Sequence, residues 1–214
     1  TDWISSITTD SSGNVLVVGS YSRNVDIDGD GNNDLISHEN RVDGYVAKFD
    51  SNGNFIWAKS MGGAAFDSAS SITIDDQGNI YSIGSFSITS DFDPGPGTYN
   101  LNSVGGNDVF VSKLDANGDF VWAINMGGTG NDSGSSLTID QTGQLALLGG
   151  FSGTADLDPG AGVYNLTSAG SMDIFVSKID SNGTFLWAKG MGGSNFERGS
   201  KVKIDGVTIP FKHR

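Results

Sequence analysis

Nine consecutive residues, Asp26-Ile27-Asp28-Gly29-Asp30-Gly31-Asn32-Asn33-Asp34, place acidic side chains at loop positions 1, 3, 5 and 9, with glycine at position 6. Carboxylates crowded in this way repel one another unless a cation neutralises them. A hard cation such as Ca²⁺ takes several oxygens at about 2.3–2.6 Å, and alternating acidic positions let a tight loop wrap it. Asp26, Asp28 and Asp30 would give carboxylates, Asn32 its backbone carbonyl, and Asp34 a carboxylate directly or through water. Position 12 is Ser37 rather than Glu and no helical pattern flanks the loop, so it is not an EF-hand. The plainer alternative is a solvated acidic turn without metal.

Two related segments, Asp91-Phe92-Asp93-Pro94-Gly95 and Asp156-Leu157-Asp158-Pro159-Gly160, keep the first two acidic positions and lose the rest. Pro-Gly favours a type II turn there, and whether these loops hold metal is left open. Catalysis has little to work with. His38 and His213 are the two histidines, and neither falls into a Ser-His-Asp set at repeating positions. Asp67 and Asp132, with Ser70 and Ser135, read as turn caps. Met61-Gly62-Gly63 and its copies lack the Lys-Ser/Thr of a phosphate loop and read as turns between units. Asn165-Leu-Thr and Asn182-Gly-Thr match glycosylation sequons, which arise easily in such a composition. The expectation is a chain without catalytic residues or an organic cofactor.

The elements that carry these residues follow from a repeat. Trp57 in FIWAKSMGG, Trp122 in FVWAINMGG and Trp187 in FLWAKGMGG are each 65 residues from the last. Asp10, Asp75, Asp140 and Asp205 keep the same interval, as do Lys48, Lys113 and Lys178. Tandem units are expected near 1–61, 62–126 and 127–191, with the start of a fourth at 192–205 and an atypical tail at 206–214. Within a unit, runs rich in β-branched and aromatic residues are joined by Asp-x-x-Gly, the pattern of a hairpin on a type I turn with glycine at positive φ. Two hairpins give four antiparallel strands, and a weaker fifth run lies at 98–103. In 120–126 both faces are mainly apolar, which suits stacked propeller blades rather than a sheet wetted on one side. The tryptophans then belong to packing between blades.

Composition narrows the partners. Cysteine is absent, and 12 basic against 25 acidic residues give a net charge of −13. That disfavours nucleic acid and anionic membrane surfaces, and no apolar run approaches the ~20 residues of a membrane span. The opening TDWISS has neither the basic nor the apolar region of a signal peptide.

The string DVFVSKLDANGDFVWAINMGG, followed by SSLTID, a glycine turn and GGFSGTADLDPG, resembles the bacterial SBBP-type β-propeller repeat. The resemblance appears three times and covers nearly all the chain except 206–214. It implies an all-β fold of propeller-like blades, in a partial ring or open array, and a secreted or cell-surface setting with adhesive or scaffolding roles. The Asp26–Asp34 loop is also similar to the calcium loops between strands of integrin-type propellers. Read together, these features describe a non-enzymatic, calcium-stabilised extracellular repeat protein forming a surface scaffold or filament. Its partners would be other copies of itself or further repeats. The alternative is a propeller module binding a ligand or surface glycan.

Overall fold

The computed structural model describes residues 2–204; the tail at 206–214, together with Asp205 and His213, lies outside the described residues. The first unit contains β1 (Trp3–Thr9), β2 (Val15–Ser22), a small hairpin of β3 (Asn24–Val25) and β4 (Leu35–Ile36), then β5 (Val42–Phe49) and β6 (Phe55–Gly63). The second contains β7 (Ser68–Ile74), β8 (Ile80–Asp91), β9 (Asn100–Leu114) and β10 (Phe120–Gly128). The third contains β11 (Ser133–Ile139), β12 (Leu145–Phe151), β13 (Thr154–Asp156), β14 (Asn165–Thr167), β15 (Asp173–Ile179) and β16 (Phe185–Met191). Each unit is a four-stranded antiparallel sheet, in the orders β1-β2-β5-β6, β7-β8-β9-β10 and β11-β12-β15-β16. The fold is all-β, as the strand patterns require.

Asp-x-x-Gly makes the turns through its carboxylate as well as its glycine. Asp75 Oδ1 accepts the N–H groups of Gln77 and Asn79, both at 2.9 Å. Gly78, at φ +84°, donates its N–H to the Asp75 carbonyl. The same bonds recur at Asp50, Asp115 and Asp180, where those from Asn54, Asp119 and Thr184 hold the carboxyls below their ordinary range.

The core lies between the sheets. One cluster joins Leu16, Val18, Val46 and Met61 of the first unit to Ile80, Phe86, Phe92 and Phe110 of the second. Another joins Ile83, Val109, Val111 and Met126 to Leu147, Phe151 and Phe175. Strands β1, β7 and β11 lie beside one another as the inner strands. In each, one serine (Ser5, Ser70, Ser135) is skipped by the pairing register. Such a bulge re-aims its side chain, and these serines line a cavity of about 440 Å³ with Ser85, Ser133 and Arg198. Ser70 and Ser135 therefore line this cavity rather than cap turns.

The excess length of the unit is structured. Thr89–Asp91 pair with Asn100–Asn102 as a continuation of β8 and β9, so the fifth run joins a strand. The end of this hairpin also reaches the preceding unit, with Asp91 opposite Gly62 and Ser90 opposite Gly63. The third unit repeats it, with Asp156 opposite Gly127 and Ala155 opposite Gly128. Met-Gly-Gly is thus a strand end that receives the next unit's hairpin, not a turn. Glycine is needed because a Cβ on Gly63 would lie 2.1 Å from the Thr89 carbonyl oxygen.

Candidate metal site

The hairpin β3–β4 positions the acidic loop. Val25 pairs with Leu35, and Asp34 N–H donates to the Val25 carbonyl at 2.9 Å, which sets Asp26 and Asp34 across the hairpin mouth. Gly29 and Gly31, at φ +78° and +91°, turn the chain sharply enough to fold the loop back. Asp26 accepts Gly29 N–H on Oδ1 (2.7 Å) and Gly31 N–H on Oδ2 (2.9 Å). Asp28 Oδ1 accepts Asp30 N–H at 3.0 Å, and Asp34 Oδ2 accepts Ile27 N–H at 2.7 Å.

The result is a convergence of Asp26, Asp28 and Asp34, whose ligand oxygens lie within 4.8 Å of one another. Among the described residues, this is the one place where three acidic or imidazole side chains meet so closely. A carboxylate oxygen that accepts one N–H retains a second lone pair, so the arrangement can still hold a cation. Asp30 is directed elsewhere. Its Oδ1 accepts Asn32 N–H at 2.7 Å and its Oδ2 accepts the Asn32 amide at 3.0 Å; the backbone bond, then the side-chain bond, holds its carboxyl below the ordinary range. Of the four carboxylates expected from the sequence, Asp26, Asp28 and Asp34 are brought together, while Asp30 accepts from the Asn32 N–H and side-chain amide.

The other two units close the same turn without a carboxylate cluster. Tyr99 and Tyr164 stand 65 residues or twice that from Asp34, and their N–H groups donate to Asp91 Oδ1 (2.8 Å) and Asp156 Oδ1 (2.7 Å). Their rings pack on Phe120 and Phe185, with centroids 4.8 and 5.0 Å apart. Phe92 N–H donates to the Tyr99 carbonyl, whereas Ile27 N–H takes the Asp34 side chain. An aromatic pair thus secures the hairpin in units two and three, where unit one has acids.

Trp57 and Trp122 lie between units, as expected from their register. A Cβ on Gly118 would lie 3.1 Å from the Trp57 ring, and Trp122 Nε1–H donates to the Ser181 carbonyl at 3.3 Å. Lys48 and Lys113 Nζ donate to the Ala116 and Ser181 carbonyls of the following unit, both at 3.4 Å. His38 lies in a 3₁₀ turn (His38–Asn40), and its backbone N–H donates to Asp43 Oδ2 at 2.7 Å. Sequence reasoning missed the buried acids Asp43, Asp108 and Asp173, of which Asp43 and Asp108 face Asp67 and Asp132. Their 65-residue spacing was the available signal.

Fold and joints together define a β-propeller-like repeat module. No family model matches the chain. It is 28% identical over 205 residues, 94% of its length, to the regulatory protein FlaEY of Caulobacter vibrioides. It is 26% identical over 154 residues, 68% of its length, to an uncharacterized WD repeat-containing protein, L264, of Acanthamoeba polyphaga mimivirus. The chain spans 21% and 11% of these relatives' own lengths. Among the described residues, no helix is long and apolar enough to cross a membrane.

Proposed function

We propose that the chain is a non-enzymatic structural module of an SBBP-type extracellular repeat protein, with calcium stiffening its first hairpin and its units building a surface scaffold or adhesive filament. The observation that carries this reading is the joint between units, which is built the same way twice. At each joint a hairpin pairs with Met-Gly-Gly, a tryptophan covers a turn glycine, and a lysine reaches a turn carbonyl. The outer faces present both halves of that joint. Met191 is 51% exposed and Trp187 42%, whereas Met61 and Met126 are 2% exposed. Gly53 has nothing over it, whereas its counterparts Gly118 and Gly183 are covered by Trp57 and Trp122. Val202 N–H donates to Ser136 Oγ as Leu137 N–H does to Ser71 Oγ, so the start of a fourth unit follows the same geometry. A surface charge of −13 suits a cation-rich exterior.

Light scattering in calcium tests the assembly reading. A species larger than the 22.3 kDa chain, growing with concentration, is expected; a monomer at every concentration contradicts the scaffold. A discrete dimer or trimer would mean a closed ring and favour a binding module. One irregularity supports that second reading. Lys48 and Lys178 pair with Asp10 and Asp140 at 3.2 and 2.9 Å, but Tyr81 hydroxyl takes Asp75 instead (3.1 Å). Lys113 therefore borders a cavity of about 380 Å³ with Asp75, Gln77, Asp140 and Thr142, a polar lining suited to a glycan. A glycan-array signal that survives chelation would favour it.

A further inference from the structure

The two joints between the units each bring two buried carboxylates together, Asp43 with Asp67 and Asp108 with Asp132. Asp43, Asp108 and Asp173 are at most 5% exposed, and Asp67 and Asp132 at most 2%; Glu197 holds the second position in the third unit. The second acids are well bonded. Asp67 accepts Gly63 N–H (2.8 Å) and Ser90 Oγ–H (2.7 Å), and Asp132 accepts Gly128 N–H (2.8 Å) and Ser152 N–H (3.1 Å). The first acids are half-bonded. Oδ2 accepts from His38, Val104 or Ala169 N–H, at 2.7, 3.1 and 2.9 Å, while Oδ1 of Asp43, Asp108 and Asp173 has no partner. A Cβ on Gly127 would lie 2.5 Å from Asp108 Oδ1 and 2.8 Å from Asp132 Oδ2, so these two oxygens flank one point.

An unpaired carboxylate oxygen in such a place is costly, and two like charges side by side cannot both be ionised cheaply. A proton on one of the two acids, or a cation between them, would relieve both costs. Calcium needs six to eight oxygens around it, yet the carboxylates already crowd Gly62, Gly127 and Gly192 too closely for a methyl group. A proton needs no such room. We propose that the Asp43–Asp67 and Asp108–Asp132 joints each hold one proton on their pair of carboxylates, so that the array is tightest in mildly acidic solution and loosens toward alkaline pH.

The groups facing these acids agree with that assignment. Asp43 meets Asp67, the His38 turn and the Tyr21 phenol; Asp108 meets Asp132 and the Asn125 amide. Burial, reinforced by the neighbouring acid, pushes Asp43 and Asp132 up to about 6; Asp67 and Asp108 are also pushed up by burial. A carboxyl raised in the folded state contributes stability that is complete below its unfolded value of 3.8 and is lost as pH rises through about 6. The turn aspartates Asp50, Asp115 and Asp180 are held low, and their contribution is lost only as pH falls below the unfolded value. The interval from about pH 5 to about pH 8 therefore isolates the buried pairs.

Thermal melting of the whole chain across that interval is the test, in a His38→Gln/His213→Gln background to remove both histidines. The parent should melt roughly 5–10 °C lower at about pH 8 than at about pH 5. Asp43→Asn/Asp108→Asn/Asp173→Asn should keep only a reduced slope, because burial still raises Asp67 and Asp132, and at about pH 8 should melt above the parent, because the amide supplies the missing donor. A parent that is flat or gains stability with pH would overturn the proposal, as would a triple variant that keeps the full slope. Recovery of the parent's melt at about pH 8 by added calcium or sodium, absent in the triple variant, would also overturn it in favour of a metal ion. Should the triple variant not fold, Asp108→Asn alone must weaken the infrared band of a buried protonated carboxyl group near neutral pH; an unchanged band overturns the assignment.

Discussion

Phe92→Ala lowers the unfolding free energy by about 3–5 kcal/mol, the cost of a large buried ring and the cavity it leaves. Phe92 sits between the two aspartates of its loop and is 1% exposed. Its ring meets Phe86 edge-on at 5.4 Å and Phe110 at 4.8 Å, in the cluster that also holds Met61 of the preceding unit. Truncation therefore weakens a hairpin, a sheet and a joint together. Phe92→Leu should cost much less, since Leu157 fills the same position at 1% exposure. Urea unfolding followed by tryptophan fluorescence reads both variants. An unchanged midpoint for Phe92→Ala would show that the loop is not anchored by this ring.

Gly128→Ala acts on the joint itself. A Cβ at this position would lie 2.0 Å from the Thr154 carbonyl oxygen, a backbone atom that cannot swing aside. Either β10 or the β13–β14 hairpin must retreat, breaking the pairing of Gly128 with Ala155 and exposing Met126 and Leu157. Overpacking costs typically about 1–3 kcal/mol and sometimes more; here the loss falls on the contact between units two and three. Calorimetry should show a lower melt that splits into two transitions, as the third unit uncouples from the others. A single transition at the parent's temperature would mean that the joint tolerates the added carbon.

Much of this architecture was legible because its signals are local and repeated. Trp57, Trp122 and Trp187 fix the period, Asp-x-x-Gly fixes the turns, and the apolar faces of 120–126 indicate sheets covered on both sides. The joints were not legible, because their pairing is non-local. Asp91 reads as the start of an acidic loop, and Gly62 and Gly63 as a turn; only the meeting of the two segments makes both strands. The buried acids were hidden for a different reason. Aspartate is so common in turns that Asp67 and Asp132 read as turn formers, and nothing local shows that Asp43 and Asp108 face them in the interior. In the acidic loop the spacing indicates which residues can converge, but Asp30 is captured by Asn32 two residues away, a competition that spacing alone does not rank.

The most direct measurement of the account is the melting temperature of the chain in calcium and in chelator, for the parent, Asp28→Asn/Asp34→Asn and Asp30→Asn. A cation that binds the folded state at about 100 times its dissociation constant adds about 2.7 kcal/mol, or roughly 5–10 °C for a chain of this size. The account predicts that rise for the parent, its loss in Asp28→Asn/Asp34→Asn, and its survival in Asp30→Asn, whose carboxylate faces Asn32. A parent whose melt ignores calcium, or a double variant that responds as the parent does, would contradict it.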